Sequence, residues 1–177
     1  SSDVCSSDLV NPQSERAQRR VDAERALRLW GPAHGIAVTI LRVPGIYAAN
    51  RLPLERLQSQ TPALLPEEDA YSNHIHSDDL ARLVCAAVYH GKPQRVINAC
   101  DGNETKMGDY FDEVADAFGL ARAPRMPANQ LQGIVSPMLW SFMRESRRVT
   151  NTRLSELKTP LRYPSVADFL KTISKNP

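Results

Sequence analysis

The chain has 177 residues, 42% apolar and 24% charged, the balance of a soluble globular protein with one sizeable core. A net charge of +2 gives no ground for nucleic-acid or membrane-surface binding, and no apolar run approaches the roughly 20 residues that span a bilayer. Three cysteines without paired spacing, Cys5, Cys85 and Cys100, point to a reduced cytoplasm.

Residues 1–9 repeat Ser-Ser-Asp and have no hydrophobic period. They lack the basic start and apolar centre of a signal peptide. Asp3 to Leu9 is what a common sequencing adapter spells in one reading frame, so 1–9 is read as a non-native segment. Residues 14–30 predict a helix, with Ala23, Ala26, Leu27 and Trp30 as its apolar stripe and Gly31-Pro32 as its stop. Arg16, Arg20 and Glu24 share another face, where Arg20 and Glu24 can pair.

The run Val38-Thr-Ile-Leu-Arg-Val43 is bounded by Gly35 and Pro44-Gly45 and predicts a strand over 37–43 buried on both faces. Pro44 cannot donate a ladder hydrogen bond, so the strand must open there into a loop. In open α/β sheets such a loop, beyond a strand's carboxyl end, is where ligands sit. An ordinary core strand with a turn is the alternative.

Residues 52–57 predict a short helix and 63–65 a strand or extended segment. Asp69 falls in a charged loop, where it should be exposed. Ser77 is a good N-cap for a helix with its stripe at Leu80, Leu83, Val84, Ala87 and Val88, stopped by Gly91; Asp78 and Asp79 suit the first turn. A strand over 95–100 follows, with Asp101-Gly102 as its turn. Thr105 can cap a helix with a core face of Met107, Phe111, Val114, Ala115 and Phe118, ending at Gly119. Residues 128–143 are apolar and broken by Pro137, and two short helices close the chain near 151–157 and 165–174. The alternation is that of an α/β fold with a parallel sheet. There is no Gly-x-Gly-x-x-Gly and no P-loop.

Several motifs then coincide: Arg20-x-x-x-Glu24, Leu41-Arg42-x-x-x-x-Tyr47, His74-Ile-His-Ser-Asp-Asp-Leu-Ala81 and Val96-x-Asn98. In this order and spacing they resemble the extended short-chain dehydrogenase/reductases, and within them the NAD-dependent epimerase/dehydratase group. Glu145-Ser-Arg-Arg-Val-x-Asn151 with Leu161-Arg-Tyr-Pro164 resembles an atypical bacterial subgroup. The resemblance covers residues 10–173. It implies that 10–177 is the C-terminal part of a Rossmann-like parallel sheet, with a small, mostly helical substrate-covering region and the dinucleotide-binding half missing.

The implied activity is that of an NAD(P)-dependent oxidoreductase, epimerase or dehydratase, with NAD or NADP as cofactor. The substrate would be a small molecule bearing a hydroxyl or carbonyl group, and the intact protein a homodimer. The family's base is a tyrosine four residues before a lysine; by register with Glu24 these positions hold Arg16 and Arg20. Arginine stays protonated, so Arg16 cannot be a general base, and no residue of this chain is assigned that role. Arg20 could donate to a ribose, or both arginines could form a solvated basic face. The alternative to an enzyme is therefore a non-catalytic NAD(P)-binding sensor or scaffold.

Val43 and Pro44 match positions against the nicotinamide. Gly45 stands where a substrate-contacting asparagine is frequent, and Tyr47 matches the family tyrosine. Arg51 is a candidate anion ligand or a surface charge. His76 matches the histidine before the capped helix, where the resemblance implies loop orientation rather than catalysis. His74 and His76 share a strand face, but no third metal ligand has suitable spacing, so no metal is expected. The 128–143 stretch is either the substrate cover or core packing.

Overall fold

The structure is a computed structural model and describes residues 4–5, 12 and 14–173. Of the nine residues read as adapter-derived, only Val4–Cys5 (β1) fall within it, so that reading lies largely outside the described residues.

Helix α1 runs from Glu15 to Ala33, three residues beyond the predicted end. Ser14 Oγ accepts from the Ala17 amide and caps it, while Pro32 sits in the last turn and has no N–H to offer the Arg28 carbonyl. The predicted stripe does not form a core face. Leu27 and Trp30 are 49% and 46% exposed, and in this helix only Val21 and Gly31 are buried.

Strand β2 (Thr39–Arg42) pairs in parallel with β7 (Arg95–Asn98), Thr39 opposite Arg95 and Arg42 opposite Asn98. Every residue of β2 is half-buried rather than buried, because β7 is its one partner among the described residues. Pro44 ends the strand as expected, and β3 (Gly45–Tyr47) follows at once, parallel to β6 (His74–His76). Between them lie a 3-10 turn at Ala49–Arg51, α2 (Leu54–Gln58), β4 (Ala63–Leu64) and β5 (Tyr71–Ser72).

Helix α3 (Ser77–His90) is capped not by Ser77 but by His76, whose Nδ1 accepts from the Asp78 amide at 3.2 Å. Its buried face is Asp79, Leu83 and Ala86; Val84 and Val88, predicted for the stripe, are exposed. Gly91 ends it at −61° in φ, so its need for glycine is one of space. A Cβ there would lie 2.4 Å from Thr39 Oγ1 and 2.3 Å from the Ala87 carbonyl.

Thr105 does not cap the next helix. It lies in β8 (Thr105–Lys106), antiparallel to β5, and α4 (Met107–Phe118) starts behind Lys106. The cap is supplied from afar: Asp69 Oδ2 accepts from the Gly108 amide at 2.7 Å. Asp69 is thus buried, not exposed in a loop as expected, and Arg125 faces it at 3.4 Å. Gly119 ends α4 in the left-handed region as its position predicts.

Strand β9 (Arg125–Met126) pairs with β4, α5 (Ala128–Leu131) and α6 (Pro137–Met143) follow, and β10 (Arg148–Val149) pairs with β1. Pro137 occupies the first turn of α6 behind the Ser136 cap, where its missing N–H costs nothing. A 3-10 helix (Thr152–Leu157) and α7 (Val166–Ile173) close the fold.

The core has three parts. Phe111, Val114 and Ala115 of α4 meet Tyr47, Leu57, Phe169 and Leu170. Ile75, Leu83, Ile97 and Leu157 fill the space between the sheet and α3. Leu64, Leu131 and Met143 form a small third cluster. No helix among the described residues is long and apolar enough to cross a membrane.

Candidate functional site at the end of the central strand

The site is built where β2 stops. Arg42, its last residue, donates from Nε to Glu24 Oε1 at 2.8 Å and from Nη2 to Oε2 at 2.7 Å. Such a bidentate, half-buried pair fixes the strand's carboxyl end against α1. Glu24 therefore pairs across to the strand rather than along the helix with Arg20, which is exposed one turn earlier on the same face. Beyond Arg42, Val43 turns an apolar side chain outward at 39% exposure, and Pro44 is half-buried.

Gly45 is exposed, and its amide donates to the Asn73 carbonyl at 3.1 Å. A Cβ there would lie 3.0 Å from the His74 ring, so a larger residue would crowd the mouth. Val43, Pro44 and Gly45 follow Arg42 directly in the chain, and the Glu24–Arg42 pair ties that end of β2 to the helix that carries Arg20.

Tyr47 and His76 stand opposite each other in the β3–β6 ladder, with ring centroids 5.3 Å apart. Tyr47 is 1% exposed, and burial together with the nearby Asp101 and Asp79 charges pushes its hydroxyl far above the ordinary tyrosine range. Among the described residues its hydroxyl has no hydrogen-bond partner. His76 is 4% exposed and its ring packs against Tyr163 and Phe169, with centroids 4.3 and 4.5 Å apart. Burial lowers its pKa despite the opposing pull of Asp78 and Asp79. Its work is the cap of α3 and the seat of the C-terminal segment. Arg51 is exposed at the end of the 3-10 turn.

Arg16, at the position of the family's tyrosine, is neither a base nor a free surface charge. Its Nη2 donates to Glu145 Oε1 at 3.2 Å, and its guanidinium lies 4.2 Å from the centre of the Phe142 ring.

Sequence reasoning missed a buried polar group behind the mouth. His74 stacks on Tyr110 at 4.4 Å, and burial lowers its pKa to about 4. Asp101, 3% exposed, donates its amide to the His74 carbonyl; burial, with Glu113 adding to it, raises its carboxyl to about 7. Asp101 Oδ2 has no hydrogen-bond partner among the described residues. The signal available was Asp101-Gly102 itself, read as a turn; nothing local announces that the aspartate points inward. Asp79 is likewise fully buried, and its carboxylate accepts hydrogen bonds from the amides of Arg162 and Tyr163 and from Arg82 Nη1. Among the described residues no group of three His, Cys, Asp or Glu side chains is placed to hold a metal.

No family model and no curated protein matches the chain. Solved structures do. A conserved protein of unknown function from Silicibacter pomeroyi is 25% identical with a TM-score of 0.81, over 97% of this chain and 59% of that one. A putative NAD-dependent epimerase/dehydratase from Methylobacillus flagellatus is 25% identical with a TM-score of 0.63, over 95% and 56%. Human epimerase family protein SDR39U1, solved with NADPH, is 16% identical with a TM-score of 0.79, over 99% and 60%. The chain spans less than two thirds of the length of each. With parallel strand pairs, flanking helices and motifs in family order, the chain has the fold of the NAD-dependent epimerase/dehydratase group of the short-chain dehydrogenase/reductases.

Proposed function

We propose that this chain carries the nicotinamide end and the substrate cover of an NAD(P)-dependent oxidoreductase, epimerase or dehydratase acting on a small hydroxyl- or carbonyl-bearing molecule. The observation that carries the reading is the mouth at Val43–Gly45, clamped to α1 by the Glu24–Arg42 pair at the carboxyl end of a parallel strand. Its residues fit one end of a dinucleotide. Val43 and Pro44 offer an apolar wall to a flat ring, Gly45 leaves room for a close approach, and Arg20 is exposed one turn from Glu24 to donate to a ribose hydroxyl. A bound nicotinamide would supply hydride transfer; the chain's own residues would place it and keep water away from its face. The 177 residues hold no glycine-rich turn for the phosphates, so that part of the grip belongs to another segment.

A second reading is a non-catalytic NAD(P)-binding sensor or scaffold. It is favoured by the engagement of Arg16 with Glu145 and Phe142, which leaves no proton acceptor at the family's base position. We also propose a cytoplasmic homodimer, with the exposed Leu27, Leu29 and Trp30 of α1 as part of its interface. Light scattering of the full-length protein that gave only monomer at micromolar concentration would remove the dimer.

The test of the main reading joins this chain to a glycine-rich dinucleotide-binding half in one open reading frame. NADH or NADPH should then bind with micromolar affinity, and Val43→Asp, which sets a carboxylate against the ring, should weaken binding at least tenfold. Undiminished binding in Val43→Asp would place the nicotinamide elsewhere. Turnover with a carbonyl substrate separates the enzyme from the sensor.

A further inference from the structure

Arg16 cannot do the work its position implies, yet it is firmly engaged. Ser14 Oγ, the cap of α1, also donates to Glu145 Oε1 at 3.3 Å, beside the 3.2 Å contact from Arg16. Phe142, which lies under the Arg16 guanidinium, is three residues before Glu145, and the Glu145 amide donates to the Phe142 carbonyl. Two groups at the start of α1 therefore grip one end of α6. The rest of the cover is held by a small cluster in which its buried Leu131 and Met143 meet Leu64. Leu139 and Trp140 pack against them, Met107 is shared with the largest core, and the Ala128 amide donates to Glu68. The cover's outward side chains Ile134 and Met138 are 60% and 70% exposed.

We infer that Arg16 is a positioning residue that fastens the 128–145 cover to the N-terminus of α1 and so sets how far the cover stands from the mouth at Val43–Gly45. The relation to the mouth rests on the reading proposed above; the fastening does not. Arginine suits the task because one planar group both pairs with a carboxylate and stacks on a ring. Lysine would keep the charge and lose the stack, and the family's tyrosine would lose the charge. The side chains of Arg16 and Glu145 are 38% and 29% exposed, so the pair is open to screening. The cover's attachment should therefore loosen with salt while the main core does not.

Amide hydrogen exchange on the 177-residue chain tests this without any ligand. In Arg16→Ala and in Glu145→Ala, the protected amides of residues 140–145 should exchange about three- to five-fold faster, the scale of one half-exposed ion pair plus a cation–ring contact. The amides of α4 should not change. Arg16→Lys should fall between wild type and Arg16→Ala. The double variant Arg16→Glu with Glu145→Arg should recover protection that each single reversal loses, which general destabilisation cannot produce. Added sodium chloride should speed exchange of 140–145 more in wild type than in Arg16→Ala, where Arg147, 3.8 Å from Glu145 Oε2, is the cation that remains. Unchanged exchange over 140–145 in Arg16→Ala, or a double reversal no better protected than the worse single, would overturn the inference. Failure of dinucleotide binding in the joined protein would leave these exchange rates untouched, so the two readings fail separately.

Discussion

Asp101→Asn should stabilise this protein, and increasingly so as pH rises. Burial holds the Asp101 carboxyl near pH 7 in the fold, against an ordinary value of 3.8. A carboxyl raised on folding favours the fold only while it is protonated. Above pH 3.8 the unfolded chain releases the proton first, so stability falls with pH until the folded group ionises near 7, and the full penalty persists beyond. A shift of that size corresponds to at most about 4 kcal/mol, of which roughly 2–3 kcal/mol accrues between pH 5 and pH 8.5. Asparagine keeps the shape and still accepts from the Asn103 amide, as Asp101 Oδ1 does at 3.3 Å, but never ionises.

The assay is urea unfolding of both proteins at the two pH values. With a slope of about 2 kcal/mol per molar, the gap between the midpoints should widen by roughly 1 M at pH 8.5. Glu113, whose pKa is also raised by burial and which adds to the penalty on Asp101, stays in both proteins. A gap that is equal at both pH values, or that narrows at pH 8.5, would refute an inward, proton-holding Asp101.

His74 makes the mirror case: burial holds it neutral to about pH 4, so stability should drain away as pH falls from 6.5 toward 4, and His74→Phe should flatten that limb of the urea-midpoint profile. Asp69→Ala and Asp79→Ala should each cost roughly 2–4 kcal/mol in urea unfolding, because one removes the cap of α4 and leaves Arg125 short of a partner, and the other removes the acceptor of two half-buried amides and of Arg82; a loss under 0.5 kcal/mol in either would return that aspartate to the surface. The 177-residue chain alone should show no binding of NAD or NADP by isothermal titration, since nothing in it can cradle a pyrophosphate, and micromolar binding would mean that the phosphate site has been misjudged.

What the sequence disclosed was local. Pro44 could only end a strand, Gly119 could only end a helix on its left-handed turn, and Pro137 breaks the 128–143 stretch where α5 gives way to α6. The ordered motifs carried the fold, and the parallel pairing of β2 with β7 follows the alternation of strands and helices. What it concealed depends on partners far along the chain. Asp69 looks like loop charge until Gly108 is placed beside it, and Ser77 looks like the cap until the His76 ring turns back on Asp78. The stripe of α1 has helical period and still faces outward, because periodicity reports that a face is apolar and not what covers it. From the sequence Arg16 is either no general base or part of a solvated basic face, and neither reading contains Glu145, 129 residues away.

The carboxylate of Asp79 has a consequence for the order in which the chain can fold. It lies in the first turn of α3, yet the amides that satisfy it belong to Arg162 and Tyr163. On a ribosome moving at about 5–20 residues per second, α3 would wait for several seconds before those amides emerged. Until then Asp79 must keep its water, and the Leu83 side of α3 cannot close on Ile97 and Leu157. The ladders impose the same delay, since Thr39 must find Arg95 and Ala63 must find Arg125 with no hairpin to bring either pair together. The nascent chain should therefore stay open to chaperones until Arg162 and Tyr163 appear, and a stop codon before Leu161 would leave a product that never closes around Asp79.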